Sequence, residues 1–202
     1  KYEKQRGVGV LAAYALAGSE ENARGHLVVT APTGGSAGVL PALVYGLGEG
    51  GRNLPKEKLR DGFLAAAAIG YLCKHNATLS GAEGGCQAEI GVASAMGAAF
   101  IAQAHDFPHQ VVANAAESSL QHHLGMTCDP VAGFVQVPCI ERCAFGAVKA
   151  FTGFIIASNE IPSNRRVDFD TTVTAMALTA REMNAKYKET SEGGLAVSLV
   201  LC

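Results

Sequence analysis

Tryptophan is absent from this sequence of 202 residues, and aromatic residues make up only 6 per cent of it. Hydrophobic residues nevertheless reach 49 per cent, so the core must be built mainly from alanine, valine, leucine and glycine. Small side chains let helices approach one another closely. The composition therefore predicts a mostly α protein, a single compact helical domain, and no shift in composition divides the chain in two.

The sequence also lacks an excess of charge. Its 16 basic and 18 acidic residues give a formal net charge of -2, which offers no electrostatic attraction for nucleic acid or an anionic membrane. A bilayer-spanning apolar run is missing as well, because prolines and glycines interrupt the longest uncharged stretch, 27–47. We therefore expect no nucleic acid and no membrane as partners, and a small neutral molecule instead.

Two further absences concern processing and location. Lys1 stands where an initiator methionine would be, and residues 1–6 have no apolar core of a signal peptide. We expect residues 1–202 to be one domain of a longer protein, without its N-terminal part. The six cysteines are spaced irregularly and do not resemble a secreted disulfide framework, which favours a reducing cytoplasm with thiolates as metal ligands.

Apolar periodicity predicts where the first helices lie. Apolar residues recur at helical spacing over 2–17, and Gly18 and Ser19 are predicted to end that helix. Segment 27–30 is short, apolar and β-branched, which fits a lone strand or a buried extended segment. Asn53 is the expected cap of a later helix.

The segments after residue 53 are predicted to be mainly helical too. Cys73 lies within an apolar helical pattern and is expected in the core. Asp168 or Asp170 is the expected cap of a last helix that ends near Lys188. The apolar tail 190–202 is expected to dock onto the body of the protein or onto a partner.

Three cysteines lie in loops rich in glycine or proline. Cys86 follows Gly81-Ala-Glu-Gly-Gly, while Cys128 and Cys139 bound a segment that two prolines and a glycine keep from forming a long helix. Their separations of 42 and 11 residues match neither zinc-site spacing nor local ferredoxin runs. From spacing alone, a shared metal and three ordinary buried thiols are both possible readings.

A glycine-rich turn, Ala31-Pro-Thr-Gly-Gly-Ser-Ala-Gly, leads into an apolar segment that begins with Val39. Free backbone N–H groups at the start of a helix suit a small anion such as a carboxylate. The turn has neither a Walker lysine nor the dinucleotide-binding glycine spacing, which argues against a nucleotide. A tight turn with Ser36 as an N-cap is the alternative.

Four blocks stand out along the chain: Ala31-Pro-Thr-Gly-Gly-Ser-Ala-Gly-Val-Leu-Pro-Ala, Ser80-Gly-Ala-Glu-Gly-Gly-Cys-Gln-Ala-Glu-Ile-Gly-Val-Ala-Ser-Ala-Met, His123-Leu-Gly-Met-Thr-Cys-Asp-Pro-Val-Ala-Gly-Phe-Val-Gln-Val-Pro-Cys-Ile-Glu-Arg and Met183-Asn-Ala-Lys-Tyr-Lys-Glu-Thr-Ser-Glu-Gly-Gly-Leu-Ala. Together they resemble the alpha domain of the bacterial iron-sulfur L-serine dehydratases. The blocks follow the family's order, span nearly the whole chain and include three cysteines at the family's positions.

The resemblance implies a 4Fe-4S cluster held by Cys86, Cys128 and Cys139, with one iron left open. It implies an L-serine ammonia-lyase that needs no pyridoxal phosphate, in which the open iron acts as a Lewis acid on the serine hydroxyl. Loss of water gives aminoacrylate, which becomes pyruvate and ammonia. The implied partners are L-serine and a serine dehydratase beta domain or beta chain, in what we expect to be an oligomer.

The same resemblance makes Thr33, Gly34, Gly35 and Ser36 the residues expected to hold the substrate. Cys202 matches a cysteine at or near the family's C-terminus. It is expected to be a fourth ligand in the resting state, or else a reactive end thiol.

The base that takes the Cα proton is not identified by any motif. His122 and His123 precede the central cysteine loop and are candidates for this role, or else groups that cap a helix or support the ligands. Cys143 stands where the family usually has Asn, one helical turn after Cys139. It is expected to be a core residue or a support for the ligands.

Arg142, Lys149 and Lys186 are basic residues that either bind a carboxylate or are ordinary surface charges. Three other functions are consistent with the sequence: a cluster-dependent cysteine desulfidase, an iron-sulfur electron carrier or redox sensor, and a metal-free helical interaction domain with six buried thiols.

Overall fold

The computed structural model describes residues 6–48 and 54–199, and this part of the chain is helical, without a β-strand. A π-helical turn, Gln87–Gly91, runs directly into helix α5. The helices are α1 Arg6–Ala23, α2 Val39–Gly48, α3 Lys56–Asn76, α4 Gly81–Gly84, α5 Val92–Ala104, α6 His109–Gln121, α7 Cys139–Asn159, α8 Phe169–Glu182 and α9 Leu195–Ser198. The predicted mostly α class and single helical body are confirmed.

Helix α5 lies at the centre of the fold. It packs against α2, α3, α6 and α7, and every residue of it except Gln103 is buried. Glycines allow this close packing: a Cβ on Gly97 would lie 2.3 Å from Leu43 Cδ1, and one on Gly62 would lie 2.8 Å from Phe100 Cδ2. The predicted close helix crossings are therefore confirmed.

Helix α1 does not end at Gly18 and Ser19, so this prediction is wrong. It continues to Ala23, and Ser19 Oγ donates a hydrogen bond of 2.9 Å to the Ala15 carbonyl. A Cβ on Gly18 would lie 3.3 Å from the Cα of Gly38. The glycine therefore serves the close approach of α1 to the segment before α2, and does not terminate the helix.

The capping predictions have three outcomes. Asp168 caps α8, because its Oδ1 accepts a hydrogen bond of 2.7 Å from the Thr171 amide. This helix ends at Glu182 instead of near Lys188, and a 3-10 turn over Ala185–Tyr187 follows it. Asn53 lies outside the described residues.

Segment 27–30 is neither a strand nor buried. No strand of the described chain pairs with it, and Leu27 is 96 per cent exposed. None of the described helices combines the length and the hydropathy needed to cross a membrane.

The described part of the tail is docked, as predicted. Directly before the tail, the amide of Cys128 donates to the carbonyl of Tyr187 at 2.8 Å, and the amide of Glu189 donates to the carbonyl of Cys128 at 2.6 Å. The Ser191 hydroxyl donates to the Pro130 carbonyl at 2.6 Å. The tail thus lies along the central cysteine loop.

Candidate metal centre

Three cysteines from three segments meet in one buried centre. Cys86 precedes the π turn that leads into α5, Cys128 lies in the loop after α6, and Cys139 is the first residue of α7. All three are buried and carry free thiols. The Sγ atoms of Cys86 and Cys128 and a carboxylate oxygen of Glu89 lie within 4.8 Å of one another, and the Cys139 thiol interacts with both of these thiols. The two cysteine loops therefore converge.

The three thiols of the centre differ in the direction of their pKa shifts. Hydrogen bonding from Cys128 and then from Cys86 lowers the pKa of Cys139 to about 4. Hydrogen bonding to Cys139 raises the pKa of Cys128. The bond with Cys128 lowers the pKa of Cys86, but the contact with Cys139 and burial outweigh it, so this pKa is raised to about 11. The surroundings thus favour the thiolate form at Cys139, and the thiolate is the form that binds a metal.

Arg142 brings a positive charge to the thiols. Its Nη1 donates to Cys86 Sγ at 3.2 Å and to the Thr127 carbonyl at 2.7 Å. Its Nη2 donates to Asp129 Oδ1 at 3.0 Å, in an ion pair whose two side chains are largely buried. A buried guanidinium with a fixed carboxylate partner gives the thiolates a counter-charge in a defined place.

Asp129 also joins the tail to this centre. Its Oδ2 accepts a hydrogen bond of 2.6 Å from the Leu195 amide. Gly194 packs against it, since a Cβ there would lie 2.2 Å from Oδ2, and the φ of Gly194 is 59°. Both the close approach and the left-handed backbone favour glycine at this position.

Glu89 is the acidic residue of the centre. Its Oε1 accepts a hydrogen bond of 2.7 Å from Thr33 Oγ1. Burial raises the pKa of this carboxyl to about 7, although the bond from Thr33 acts in the opposite direction. A carboxylate so close to a group of thiols and so perturbed by its surroundings is typical of a functional site.

The glycine-rich turn borders the same centre through Glu89. Gly34–Ser36 forms a 3-10 turn, in which Ser36 Oγ donates to the Thr33 carbonyl at 3.2 Å. The Thr33 hydroxyl then reaches Glu89, and a Cβ on Gly35 would lie 2.6 Å from Glu89 Oε1. The residues expected to hold the substrate therefore lie beside the cysteines.

The remaining cysteines have different surroundings. Cys143 is buried, and its thiol donates to the Gly35 carbonyl at 3.4 Å, so it supports the glycine-rich turn. Burial raises the pKa of Cys143. Cys73 is fully buried in the core, as predicted, and burial raises its pKa to about 12. Cys202 lies outside the described residues.

His122 and His123 differ in exposure. His122 is exposed, and its Nδ1 is 2.7 Å from the Ser118 carbonyl. His123 is buried, its Nδ1 is 2.7 Å from the Ser119 carbonyl, and burial lowers its pKa to about 4. Its Nε2 has no hydrogen-bond partner within the described part of the chain. Their hydrogen bonds tie both rings to helix α6 and not to the thiols.

The two lysines considered as carboxylate ligands have local contacts. Lys149 Nζ donates to the His122 carbonyl at 2.9 Å. Lys186 lies 4.9 Å from the ring centre of Tyr187, in a cation–π contact.

A family model described as "Serine dehydratase alpha chain" matches residues 4–196. The chain belongs to the serine dehydratase alpha-chain family. It is 48 per cent identical to an L-serine dehydratase of Helicobacter pylori (strain ATCC 700392 / 26695) over 193 residues, which are 95 per cent of this chain and 42 per cent of the relative.

Two other L-serine dehydratases match the chain with similar identity and coverage. The L-serine dehydratase TdcG of Escherichia coli (strain K12) is 50 per cent identical over 187 residues, 93 per cent of this chain and 41 per cent of that protein. The L-serine dehydratase of Streptomyces coelicolor (strain ATCC BAA-471 / A3(2) / M145) is 46 per cent identical over 189 residues, 94 and 41 per cent of the two chains. The chain therefore spans about two fifths of the length of these curated relatives.

The buried centre contains thiols and a carboxylate, which are side chains that can bind a metal. Soft thiolates select iron-sulfur clusters, zinc or copper(I), and a carboxylate beside them adds a harder donor. The group formed by Cys86, Glu89 and Cys128 is compact enough to hold a metal ion. Glu89 was not predicted from the sequence, and its spacing of three residues from Cys86 gives no α-helical signal, because a π turn joins the two residues.

Proposed function

We propose that this chain is the metal-binding, catalytic part of an iron-sulfur L-serine ammonia-lyase, which converts L-serine to pyruvate and ammonia. The observation that carries the proposal is the convergence of Cys86, Cys128 and Cys139 beside the turn of Thr33 to Ser36. In the proposed pocket, substrate bound by the turn would lie next to a metal held by the cysteines. The relatives' names as L-serine dehydratases support the same reaction.

The donor set fits a 4Fe-4S cluster. Such clusters are held by cysteine thiolates, and three thiolates leave one iron without a protein sulfur. Cys86, Cys128 and Cys139 would hold the cluster, and Cys202 remains the predicted fourth ligand of the resting state. When bound, the cluster would supply a Lewis acid that makes the serine hydroxyl a better leaving group.

The chain's own residues bind and orient the substrate. Thr33, Gly34, Gly35 and Ser36 remain the proposed substrate-binding residues, because hydroxyls and backbone N–H groups of a turn suit the substrate carboxylate. Arg142, which is held by Asp129, keeps a positive charge next to the thiol of Cys86. Cys143 stabilises the turn because its thiol donates a hydrogen bond to the carbonyl of Gly35.

A base must also remove the Cα proton, and His122 and His123 remain the proposed candidates. His123 is neutral near pH 7, since burial lowers its pKa to about 4. With Nδ1 bonded to the Ser119 carbonyl, Nε2 is left to accept a proton. His122 is exposed and could act where a second domain closes over the pocket.

The partners belong to this proposal as well. Since the chain spans about two fifths of its relatives' length, we infer that activity needs a serine dehydratase beta domain, fused or as a separate beta chain, in an oligomer. Residues 1–202 would then be the alpha domain of the longer protein. A cytoplasmic location follows from the need to keep the thiols reduced.

The test is anaerobic reconstitution of the whole protein with iron and sulfide, followed by electron paramagnetic resonance of the reduced cluster with and without L-serine. We expect a 4Fe-4S signal that changes when L-serine is added, together with release of pyruvate. A signal indifferent to serine would favour an electron carrier or sensor. Sulfide released from L-cysteine faster than pyruvate from L-serine would favour a desulfidase, and absence of any cluster would overturn the iron-sulfur function.

A further inference from the structure

Glu89 is placed in the centre by an irregularity of its helix. The π turn Gln87–Gly91 inserts an extra residue per turn between Cys86 and helix α5. Such turns are uncommon, and they often occur at functional sites because they redirect side chains. The carboxylate of Glu89 lies within 4.8 Å of two cysteine thiols and accepts a hydrogen bond from Thr33.

Two glycine-rich loops close around this carboxylate. A Cβ on Gly35 would lie 2.6 Å from Glu89 Oε1, and a Cβ on Gly81 would lie 2.8 Å from Oε2. Real Cβ atoms do not come so close, so a larger residue at either position would displace the carboxylate from the place it has here. The carboxylate therefore lies between the turn that borders the pocket and the loop that carries Cys86.

Glu89 has no positive partner within residues 6–48 and 54–199. It forms no ion pair there, and its one hydrogen bond comes from a neutral hydroxyl. Arg142, the guanidinium of the centre, is bonded to Cys86 and Asp129 instead. Carboxylates inside a protein are normally paired with a cation, and Glu89 is half-buried. In its ionised form it therefore offers a negative charge without a cation to any positive group that reaches this centre.

An amino-acid substrate carries such a cation. Building on the proposed function, we propose that Glu89, held by Thr33, binds the α-ammonium of the substrate and so selects amino acids over the corresponding hydroxy acids. An ammonium group has three N–H donors, which suit the two oxygens of one carboxylate and a neighbouring hydroxyl. The substrate carboxylate and hydroxyl are left for the turn and the metal.

The decisive comparison uses two ligands that differ only at Cα. L-glycerate has the carboxylate and the β-hydroxyl of L-serine, with a hydroxyl in place of the ammonium. The Kd of each is measured with the anaerobically reconstituted whole protein, from the change in the cluster's electron paramagnetic resonance signal. This readout reports binding and does not depend on turnover.

In Glu89→Gln we expect the Kd of L-serine to rise on the order of 30-fold, because a charge-assisted interaction is lost. The Kd of L-glycerate is expected to change by less than about 3-fold, since it makes no charged contact at that position. Glu83→Gln is the matched control, since Glu83 is an exposed carboxylate in the same glycine-rich segment. We expect it to leave both values unchanged.

Three results would overturn the proposal. Equal weakening of L-serine and L-glycerate would show that Glu89 only shapes the pocket, and an unchanged Kd of L-serine would show that it does not contact the substrate. Loss of iron and sulfide from Glu89→Gln would make it a metal ligand. If the unmodified protein carries a cluster but binds no serine, the proposed function itself fails, and this is seen before any variant is made.

Thr33→Val offers a second test in a variant with little change in volume. It removes the hydroxyl that holds Glu89 and one donor that the turn offers to the substrate carboxylate. The Kd of L-glycerate should therefore rise slightly, and that of L-serine should rise a few-fold further. Thr33→Ser keeps the hydroxyl and is expected to restore serine binding. A pattern in which both variants affect both ligands equally would count against the proposal.

Discussion

Two buried polar clusters of this protein differ in how fully their charges are paired. In the first, Arg165 donates to both Glu117 and Glu160, so one guanidinium serves two carboxylates. Glu117 also accepts from the Thr172 hydroxyl at 3.2 Å, and Asn114 donates to Glu160 at 3.3 Å. This cluster joins α6, the connector after α7 and α8 without needing any other molecule.

The second cluster, around Cys86, Cys128, Cys139 and Glu89, leaves groups unmatched. Its thiols form no disulfide, and Glu89 has no cation among the residues that the structure describes. Burial of charge alone therefore does not mark a functional site, since the fully paired cluster around Arg165 serves to stabilise the fold. Burial with unmatched donors and charges is the arrangement expected of the proposed metal and substrate site.

The largest effect is expected from removing a thiol. Cys86→Ala should reduce bound iron and sulfide to background after anaerobic reconstitution, because the proposed cluster loses one of its three proposed thiolate ligands. Elemental analysis per chain measures this. Cys73→Ala, which removes an equally buried thiol outside the centre, should keep full cluster content. Equal iron content in both variants would remove the distinction between the centre and the core.

The same substitution in the two clusters should change stability very differently. Glu117→Gln should lower the free energy of unfolding of the cluster-free protein by about 3–5 kcal/mol, since it leaves Arg165 partly unpaired in the interior. Glu89→Gln should change it by less than about 1 kcal/mol or raise it, because it removes the charge of a half-buried carboxyl that has no cation beside it. Urea denaturation followed by circular dichroism measures both. Similar losses would contradict the division into scaffold and site.

His123 provides a pH test of an unpaired buried group. Its pKa is lowered to about 4 in the folded protein, from 6.5 as the ordinary value. The unfolded chain therefore binds a proton at a higher pH than the folded one, and stability falls as the pH falls from 6.5 to 4. The loss attributable to His123 is up to about 3 kcal/mol.

The measurement is the urea midpoint at several pH values, in the unmodified protein and in His123→Gln. The variant should lose stability less steeply between pH 6.5 and 4. His122→Gln, at the exposed neighbour, should retain the slope of the unmodified protein. An unchanged slope in His123→Gln would mean that the ring is protonated in the folded state.

The smallest effect is expected at Asp129, which is fully paired yet lies within the centre. Asp129→Asn keeps the shape but loses the charge-assisted bonds from Arg142 and from the Leu195 amide, at about 2 kcal/mol. Amide hydrogen exchange over 183–199 should accelerate more than exchange in α5. Asp170→Asn, an exposed carboxylate in the first turn of α8, is the control and should leave the tail unaffected.

Much of the fold could be predicted from composition and periodicity. Small residues predict close helix packing, and Asp168 has the chemistry and the position of an N-cap. The end of α1 could not be predicted, because Gly18 is needed by a contact with Gly38, twenty residues further along the chain. A local helix-ending signal and a long-range packing requirement use the same residue type.

The site could be predicted only in part. The cysteines were recognisable as a set, but the roles of Arg142 and Glu89 depend on which loops meet in space. Arg142 was one of three equivalent basic candidates, and only its bonds to Cys86 and Asp129 distinguish it. The position of Glu89 depends on a π turn, which has no sequence signature in local propensity.

The backbone hydrogen bonds between Cys128 and residues 187–189 have a consequence for protein synthesis. The backbone of Cys128 is held between Tyr187 and Glu189, which the ribosome adds about sixty residues later. At usual elongation rates this delay is roughly 3–12 s. During that interval a nascent chain has all three cysteines but lacks the backbone groups of 187–189 that hold Cys128. The arrangement of the three thiols is therefore complete only after residues 187–189 have been synthesised.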